Sequence, residues 1–415
     1  PPMRNPPHDR LTRTQRGLRN LIFQHFHNHF AARPLTPSST TDAWWEETEQ
    51  LLTKHKIPLS QDQAEAADST WTDEEVRKAI NETPSTTAPG PDGLPAALFQ
   101  HPLLLDAWVN TLSTVFRTAE GFAGWPTLMS TGAIRLLLKP EKNPESINNY
   151  RPIVLLPLVA RFYCRLLARR LNANLPDQIH PDQLGFVPGR RIEDATHLLQ
   201  ALLNHPTPAP PGANPCLVNI DFKSAFDSPA HQYISRTLHA YGYGARMVAR
   251  VRGMLSALSV QVIVNDGLTS KCQLARGTPQ GSACSPALFV YALDPFIRRL
   301  EWSHTTGIRL ARCTGVTFAD DSILALNATK APALAAEMAS FRVVSGCTVS
   351  KPKSSAIPLA GTTPTAFNAL LESLGFKCSA GQFRHLGSIL TLHPRLISIL
   401  NAAAEERNAT QEADS

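Results

Sequence analysis

Residues 315–326 read GVTFADDSILAL, two adjacent aspartates, Asp320 and Asp321, inside an apolar run. A buried carboxylate costs several kcal/mol unless something compensates it. Folded as a hairpin with a four-residue centre, Ala319 to Ser322, the stretch lifts both acids to a tip. A third, Asp221, closes the strand-like CLVNIDF at 216–222. If the two strands are neighbours, Asp221 and Asp320 converge. Clustered carboxylates repel, and their pKa values rise unless a cation sits among them. Oxygen-only donors without His or thiolate favour Mg²⁺, with Mn²⁺ as the alternative. Two such ions about 3.5–4 Å apart suit in-line phosphoryl or nucleotidyl transfer, one polarising the attacking oxygen and the other steadying the leaving group. The loop RGTPQGSACSP at 276–286 adds backbone N–H groups and one amide, Gln280. Its Gly277 and Gly281 allow a backbone to approach a base pair closely.

The elements that must position these groups can be read from pattern. Thr72 and Glu75 form a capping box that predicts a helix to about Asn81. TAPGPDGLP (87–95) is turn chemistry, and a helix rich in Leu and Phe follows. AIRLLLKP (133–140) and NYRPIVLLP (149–157) read as extended pieces. VARFYCRLLARRLN (159–172) reads as a helix with a basic stripe, Arg161, Arg165 and Arg169, set against Phe162, Leu166 and Leu167. Such a stripe either contacts phosphates or is a solvated face. Residues 229–256 are helical in character, and SVQVIVNDGLTSKCQL (259–274) alternates as a hairpin with Asp266-Gly267 in its turn. RGTPQGSACSPALFVYALDPFIRRL (276–300) is a loop running into a helix. Strand, helix, hairpin, helix, hairpin predicts an α+β fold, a sheet with helices on one face.

The N-terminal part is less regular. Arg10, Arg13 and Arg16 keep a helical spacing, with Leu11, Leu18 and Ile22 for the other side. His25, His27 and His29 alternate with no Cys, Asp or Glu close by, which favours surface histidines over a metal site. Residues 33–70 read as a linker holding one amphipathic stretch, DAWWEETEQLL. The chain has 415 residues, a prior of roughly two to three domains. Its 34 prolines predict long irregular connections. Net charge is +6, which permits a polyanionic partner. Seven cysteines, none spaced C-x-x-C, argue for reduced intracellular usage and against a zinc or disulfide framework. No apolar run approaches the roughly 20 residues of a membrane span, and no secretory signal is visible. A start at Pro1-Pro2 without Met suggests an excerpt of something longer.

Taken in order, the motifs resemble the reverse transcriptase domain of LINE-type (non-LTR) retrotransposon polyproteins. The resemblance runs through APGPDGLP, LLLKP, NYRPIVLLP, DQLGFVPGR (182–190), NIDFKSAFD, RGTPQGSACSPALF, TFADD, SGCTVSKPKSS (345–355) and FRHLGSIL (383–390). It implies an RNA-directed DNA polymerase that uses Mg²⁺ and dNTPs to extend a primer 3′-OH, in that family one made by nicking genomic DNA. It implies a right hand: α+β fingers and palm over residues 81–392, with an antiparallel palm sheet. Residues 1–80 then form a basic, helical extension and linker, and 393–415 a short tail at the start of a truncated thumb. Asp221, Asp320 and Asp321 become metal ligands together with the backbone carbonyl of Phe222. Phe226 takes the place of a steric gate against a 2′-OH, Lys139 and Arg151 hold the triphosphate, and Gln280 and Gly281 lie beside the incoming nucleotide. Lys353 matches a lysine that protonates pyrophosphate. Two positions depart from the family pattern, Ser350 for Asn and His385 for Tyr. The implied partners are an RNA template, a DNA primer and an upstream endonuclease domain, with no membrane; the nucleus is the expected site of integration and cytoplasmic assembly is compatible. The rival readings are a non-catalytic nucleic-acid-binding remnant of a decayed element and another palm-type nucleotidyl enzyme. The latter lack the PQG and NYRP blocks.

Overall fold

Thr72 and Glu75 close the capping box that the sequence announces. The Thr72 hydroxyl accepts from the Glu75 amide at 3.1 Å, and the Thr72 amide donates to the Glu75 carboxylate at 2.9 Å. The helix Asp73–Asn81 follows. In this computed structural model, residues 3–5, 10–12, 14–32, 39–119, 125–204, 214–302, 315–359, 362–378, 382–385 and 388–391 are described. They group into two compact units, one drawn from residues 1–34, 58–174 and 229–288, the other from 35–57, 175–228 and 289–415. The whole is α+β with mixed sheets.

The first unit is built on a sheet whose strand Thr131–Leu138 pairs antiparallel with Tyr150–Leu155 and parallel with Ser259–Val264. The 259–264 strand turns back at Asn265 and Asp266, with φ of 45° and 61°. The turn therefore sits one residue earlier than the Asp266-Gly267 expected. Both short polar side chains tolerate the left-handed region, and Gly267 is left to pair with Val264 beneath the Arg19 guanidinium.

Helix Gln15–Phe30, capped by Thr14, buries Leu18, Ile22, Phe26 and Phe30 along one stripe. Arg10 lies outside it, in the short strand Arg10–Thr12, so Arg10 and Arg16 do not share a helix; Arg13 lies outside the described residues. His27 is exposed, whereas His25 and His29 are half-buried and stacked, their ring centroids 6.0 Å apart. The basic stripe on helix Leu158–Asn172 is largely spent within the unit. Arg161 donates to the carbonyls of Leu156 and Ala88, and Arg169 to the Glu75 carbonyl and the Glu82 carboxylate. The neighbouring Arg170 stacks 4.0 Å over Trp71 and pairs with Glu75 at 2.9 Å.

The second unit carries a five-stranded sheet in the order Lys377–Cys378, Ser355–Pro358, Pro215–Ile220, Asp321–Asn327, Gly315–Phe318. The resemblance implies an antiparallel sheet; the strands that carry the aspartates pair antiparallel, whereas the edge pair 355–358 and 377–378 runs parallel. Helix Pro364–Leu374 sits in the connection between those two strands, and a strand–helix–strand return of this kind sets its strands parallel. Helices Ser285–Trp302 and Ala331–Ser345 pack their Phe296 and Phe341 rings against Phe222. What reads as a linker contributes helix Ser39–Lys54, whose Trp44 and Trp45 are buried. The Trp44 indole and the Arg299 guanidinium both donate to the buried Glu337 carboxylate, at 2.8 and 2.9 Å. Within and beside FRHLGSIL, strand Gln382–His385 pairs antiparallel with Ser388–Thr391. The expected thumb-start tail, 393–415, lies outside the described residues. No helix among the described residues is long and apolar enough to cross a membrane.

Removing a partner from a buried ion pair leaves an uncompensated charge. Glu337→Ala should therefore destabilise the second unit by about 3 kcal/mol, read as a lowered midpoint in urea denaturation. Glu47→Ala removes only the half-exposed second partner of Arg299 and should cost under about 1 kcal/mol.

Candidate active site

The centre of the second sheet is the 215–220 strand, buried at every position except the half-buried Asn219. Strand 321–327 pairs with it antiparallel, Ser322 opposite Ile220, and one further step of the same register sets Asp321 opposite Asp221. Strand 321–327 also pairs with 315–318, Asp321 opposite Phe318, so only Ala319 and Asp320 form the turn. The four-residue centre expected from sequence is therefore a two-residue turn. Such turns need positive φ, and Ala319, buried, has φ of 58°. Three carboxylates drawn from two distant stretches thus meet at one sheet edge.

Their mutual charge is visible in Asp321. Burial above all, then Asp320 and Asp221, push its carboxyl up to about 6, with Lys353 offsetting part of the rise. Asp221 is held by its backbone: its amide donates to the Ser354 hydroxyl at 3.1 Å and its carbonyl accepts from the Ser350 amide at 2.7 Å. Its Oδ1 is buried with no hydrogen-bond donor, and the Lys353 ammonium stands 3.3 Å away as an ion pair. Phe222 bridges Val349, but the two bonds of that bridge run from Lys223 to Thr348 and from Ser350 to Asp221. Neither uses the Phe222 carbonyl. The half-buried Phe226 ring stacks on Phe289 at 4.6 Å and meets Phe186 edge-on at 6.0 Å.

Sequence reasoning passed over the support beneath this edge. Gln183 is fully buried. Its Oε1 accepts from the amides of Ala319 at 2.9 Å and Gly185 at 3.0 Å, and its Nε2 donates to the Ala319 carbonyl at 3.3 Å. A Cβ on Gly185 would lie 2.3 Å from the Ala319 nitrogen. The only signal was the DQLGFVPGR block itself, which carries no hint of what Gln183 would face. Ser354, likewise buried, was another omission.

The remaining sequence-selected residues lie in the first unit. The Val154 amide donates to the Gln280 carbonyl at 2.7 Å, docking the PQG loop on the 150–155 strand. Gly281 has φ of +109°, and a Cβ there would come within 2.9 Å of the Val154 carbonyl oxygen. Arg151 is exposed on the same strand, opposite Leu137. Lys139 directly follows the neighbouring strand and donates to the Asn148 carbonyl at 2.9 Å. At the other end of the loop Arg276 donates to the His29 carbonyl, and His231 to the Gly277 carbonyl at 2.9 Å. Burial lowers the His231 pKa to about 4 despite that bond.

The donor set at the sheet edge fits a hard divalent cation: three carboxylates, one with a buried oxygen lacking a hydrogen bond, a carbonyl outside its own bridge, and no nitrogen or sulfur ligand. The cage is not closed, however. Among the described residues no three acidic, histidine or cysteine side chains converge tightly enough to constitute a metal site.

Residues 139–390, more than half of the chain, match the family described as reverse transcriptase (RNA-dependent DNA polymerase). The chain belongs to this reverse transcriptase family. Its relatives are polyproteins of non-LTR retrotransposons, as the motif order suggests. It is 29% identical over 316 residues to the 149 kDa protein of transposon TX1 from Xenopus laevis, covering 74% of this chain and 23% of that protein. To the Pol polyprotein of the type-1 retrotransposable element R2 from Popillia japonica it is 28% identical over 296 residues, 70% of this chain and 39% of the relative. To the RNA-directed DNA polymerase from mobile element jockey of Drosophila melanogaster it is 27% identical over 229 residues, 53% and 24% respectively. The reverse transcriptase chain thus spans well under half the length of these relatives. All three aspartates, Phe226, Gln280 and Lys353 fall inside the matched span.

A carboxyl whose pKa is raised by folding stabilises the fold below its unfolded value, 3.8, and that contribution is lost as pH rises through about 6. In EDTA, wild-type stability should fall between pH 4 and 7 relative to Asp321→Asn, which has no such carboxyl. Parallel thermal melts across this window check it. Divalent cation added at pH 7.5 should raise the Tm of wild type and not that of the variant.

Proposed function

We propose that this chain is the catalytic core of an RNA-directed DNA polymerase, adding dNMP units to a primer 3′-OH in target-primed reverse transcription of a non-LTR retrotransposon. The observation that carries the reading is the convergence of Asp221, Asp320 and Asp321 at one sheet edge, with Asp321 driven up in pKa by burial first and then by the other two.

On this reading Asp221, Asp320, Asp321 and the Phe222 carbonyl hold two divalent cations, Mg²⁺ or Mn²⁺. When bound, these supply a lowered pKa for the primer hydroxyl and charge balance for pyrophosphate. The chain's own groups do the rest. Asp221, fixed through Ser350 and Ser354, keeps its carboxylate at the end of a strand that cannot shift. Lys353, its ammonium at Asp221, delivers a proton from Nζ to the departing pyrophosphate oxygen. Arg151 and Lys139 grip the triphosphate, the guanidinium in a planar fork. Gln280 and Gly281 lie along the nucleotide, the docked loop giving it a rigid backbone edge. Phe226, stacked on Phe289, presents a ring that a 2′-OH would strike. The strands and helices that hold these groups serve as fingers and palm. The working partners are an RNA template, a DNA primer and an endonuclease elsewhere in the polyprotein, with synthesis at nicked chromosomal DNA in the nucleus.

Primer extension on an RNA template with Mg²⁺ and dNTPs tests the proposal. Extension by wild type that falls about a thousandfold or more in Asp320→Ala supports it, since a metal ligand supplies several kcal/mol of transition-state stabilisation. Template–primer binding with no extension by wild type would instead favour a non-catalytic remnant. Phe226→Val should raise ribonucleotide use relative to dNTP roughly 10–100-fold, the range one hydroxyl clash can command. Equal discrimination in both proteins would remove Phe226 from the gate.

A further inference from the structure

We infer that Gln183 is a positioning residue that holds the Ala319–Asp320 turn, and through it the Asp320 carboxylate, in working geometry. The inference rests on the nucleotidyl-transfer reading of the site. Gln183 touches no carboxylate. What it touches is the backbone on which one of them is mounted.

Ala319 has φ of 58°, a left-handed conformation that is unfavourable for any residue with a Cβ and persists only where the surroundings over-determine it. Gln183 supplies that constraint. Its carboxamide satisfies both backbone polar groups of Ala319, accepting from the N–H at 2.9 Å and donating to the C=O at 3.3 Å. This is the pattern of a strand neighbour, made by a side chain. The orientation of the amide is fixed by its surroundings, because the N–H groups of Ala319 and Gly185 both point at Oε1.

The residues around it reinforce the grip. The Leu184 amide donates to the Thr317 carbonyl at 2.7 Å, and the Thr317 amide to the Asp182 carbonyl at 2.8 Å. Gly185 lacks the Cβ that would collide with Ala319. The gripping loop is itself anchored. Arg190 donates to the carbonyls of Gln183 and His180 at 2.7 and 2.6 Å, and the His180 amide donates to the buried Asp294 at 2.7 Å. A rigid path therefore runs from helix 285–302 through Asp294, His180, Arg190 and Gln183 to Ala319 and Asp320.

Gln183→Leu keeps the volume and removes every side-chain bond. Gln183→Glu keeps the acceptor for both amides and loses the donor to the Ala319 carbonyl. In the full chain, Gln183→Leu should lower kcat for primer extension about 10–100-fold, the cost of displacing a reacting group by about 1 Å. It should also raise the half-saturating Mg²⁺ concentration while leaving template–primer affinity unchanged. Ala319→Gly, which relieves the left-handed conformation, should restore part of that loss in the Gln183→Leu background. Hydrogen exchange over residues 315–322, which needs no activity, should be faster in Gln183→Leu and intermediate in Gln183→Glu. Unchanged exchange in both variants overturns the proposal even if wild type extends no primer, an outcome that by itself sinks only the polymerase reading. A fall in kcat with neither a Mg²⁺ shift nor rescue by Ala319→Gly assigns Gln183 to core packing and also overturns it. Should Gln183→Leu fail to fold, Gln183→Glu decides alone by the same readouts.

Discussion

Like charges gathered at one sheet edge govern this structure. Two like unit charges at about 5 Å repel by about 3 kcal/mol at the effective dielectric of a protein surface, and here three carboxylates act on one another. A pliable scaffold would let them drift apart. This one does not, because Asp221 continues a strand buried on both faces and paired on both sides. Its amide and carbonyl are then tied to Ser354 and Ser350. With the backbone fixed, the remaining way to relieve the repulsion is to bind a proton or a cation. The raised pKa of Asp321 expresses burial first and then this repulsion.

The second constraint lies in the turn. Two residues between Phe318 and Asp321 demand positive φ, and the chain places an alanine there. A left-handed alanine costs about 1 kcal/mol or more, and the Gln183 side chain offsets it with hydrogen bonds to both the N–H and the C=O of that residue. A tighter turn also brings Asp321 into the paired strand, so it stands opposite Asp221, and of the two adjacent acids only Asp320 stays in the turn. A looser turn of four residues would have put both acids on a tip free to separate.

The aspartates were legible because an acid inside an apolar run is a local anomaly. The capping box at Thr72 was legible for the same reason: its partners lie three residues apart. What could not be read depends on partners far along the chain. The role of Gln183 lies in residue 319, and that of Trp44 in residue 337. Helical spacing made Arg161, Arg165 and Arg169 a stripe, but spacing does not say what stands opposite. Two of the three meet carbonyls and a carboxylate of their own unit. Helices 192–204, 331–345 and 364–374 went unread, and with them the crossover that sets the edge strands parallel. The size of the turn was misjudged because strand alternation fixes which residues share a face and not where pairing stops.

Lys353 is the cation of this edge, and its exposure matters more than its distance. The ammonium stands at Asp221, yet about two-thirds of its side chain remains open to solvent, at 68%. An exposed pair of this kind contributes at most about 1 kcal/mol. It lowers the repulsion without satisfying the buried Oδ1 of Asp221. A buried lysine would have neutralised the cluster and competed with any other cation. An exposed one yields its place at small cost and stays tethered close by. On the proposed reading, the group that balances the carboxylates before the ions arrive is thereby the group best placed to supply a proton once pyrophosphate leaves.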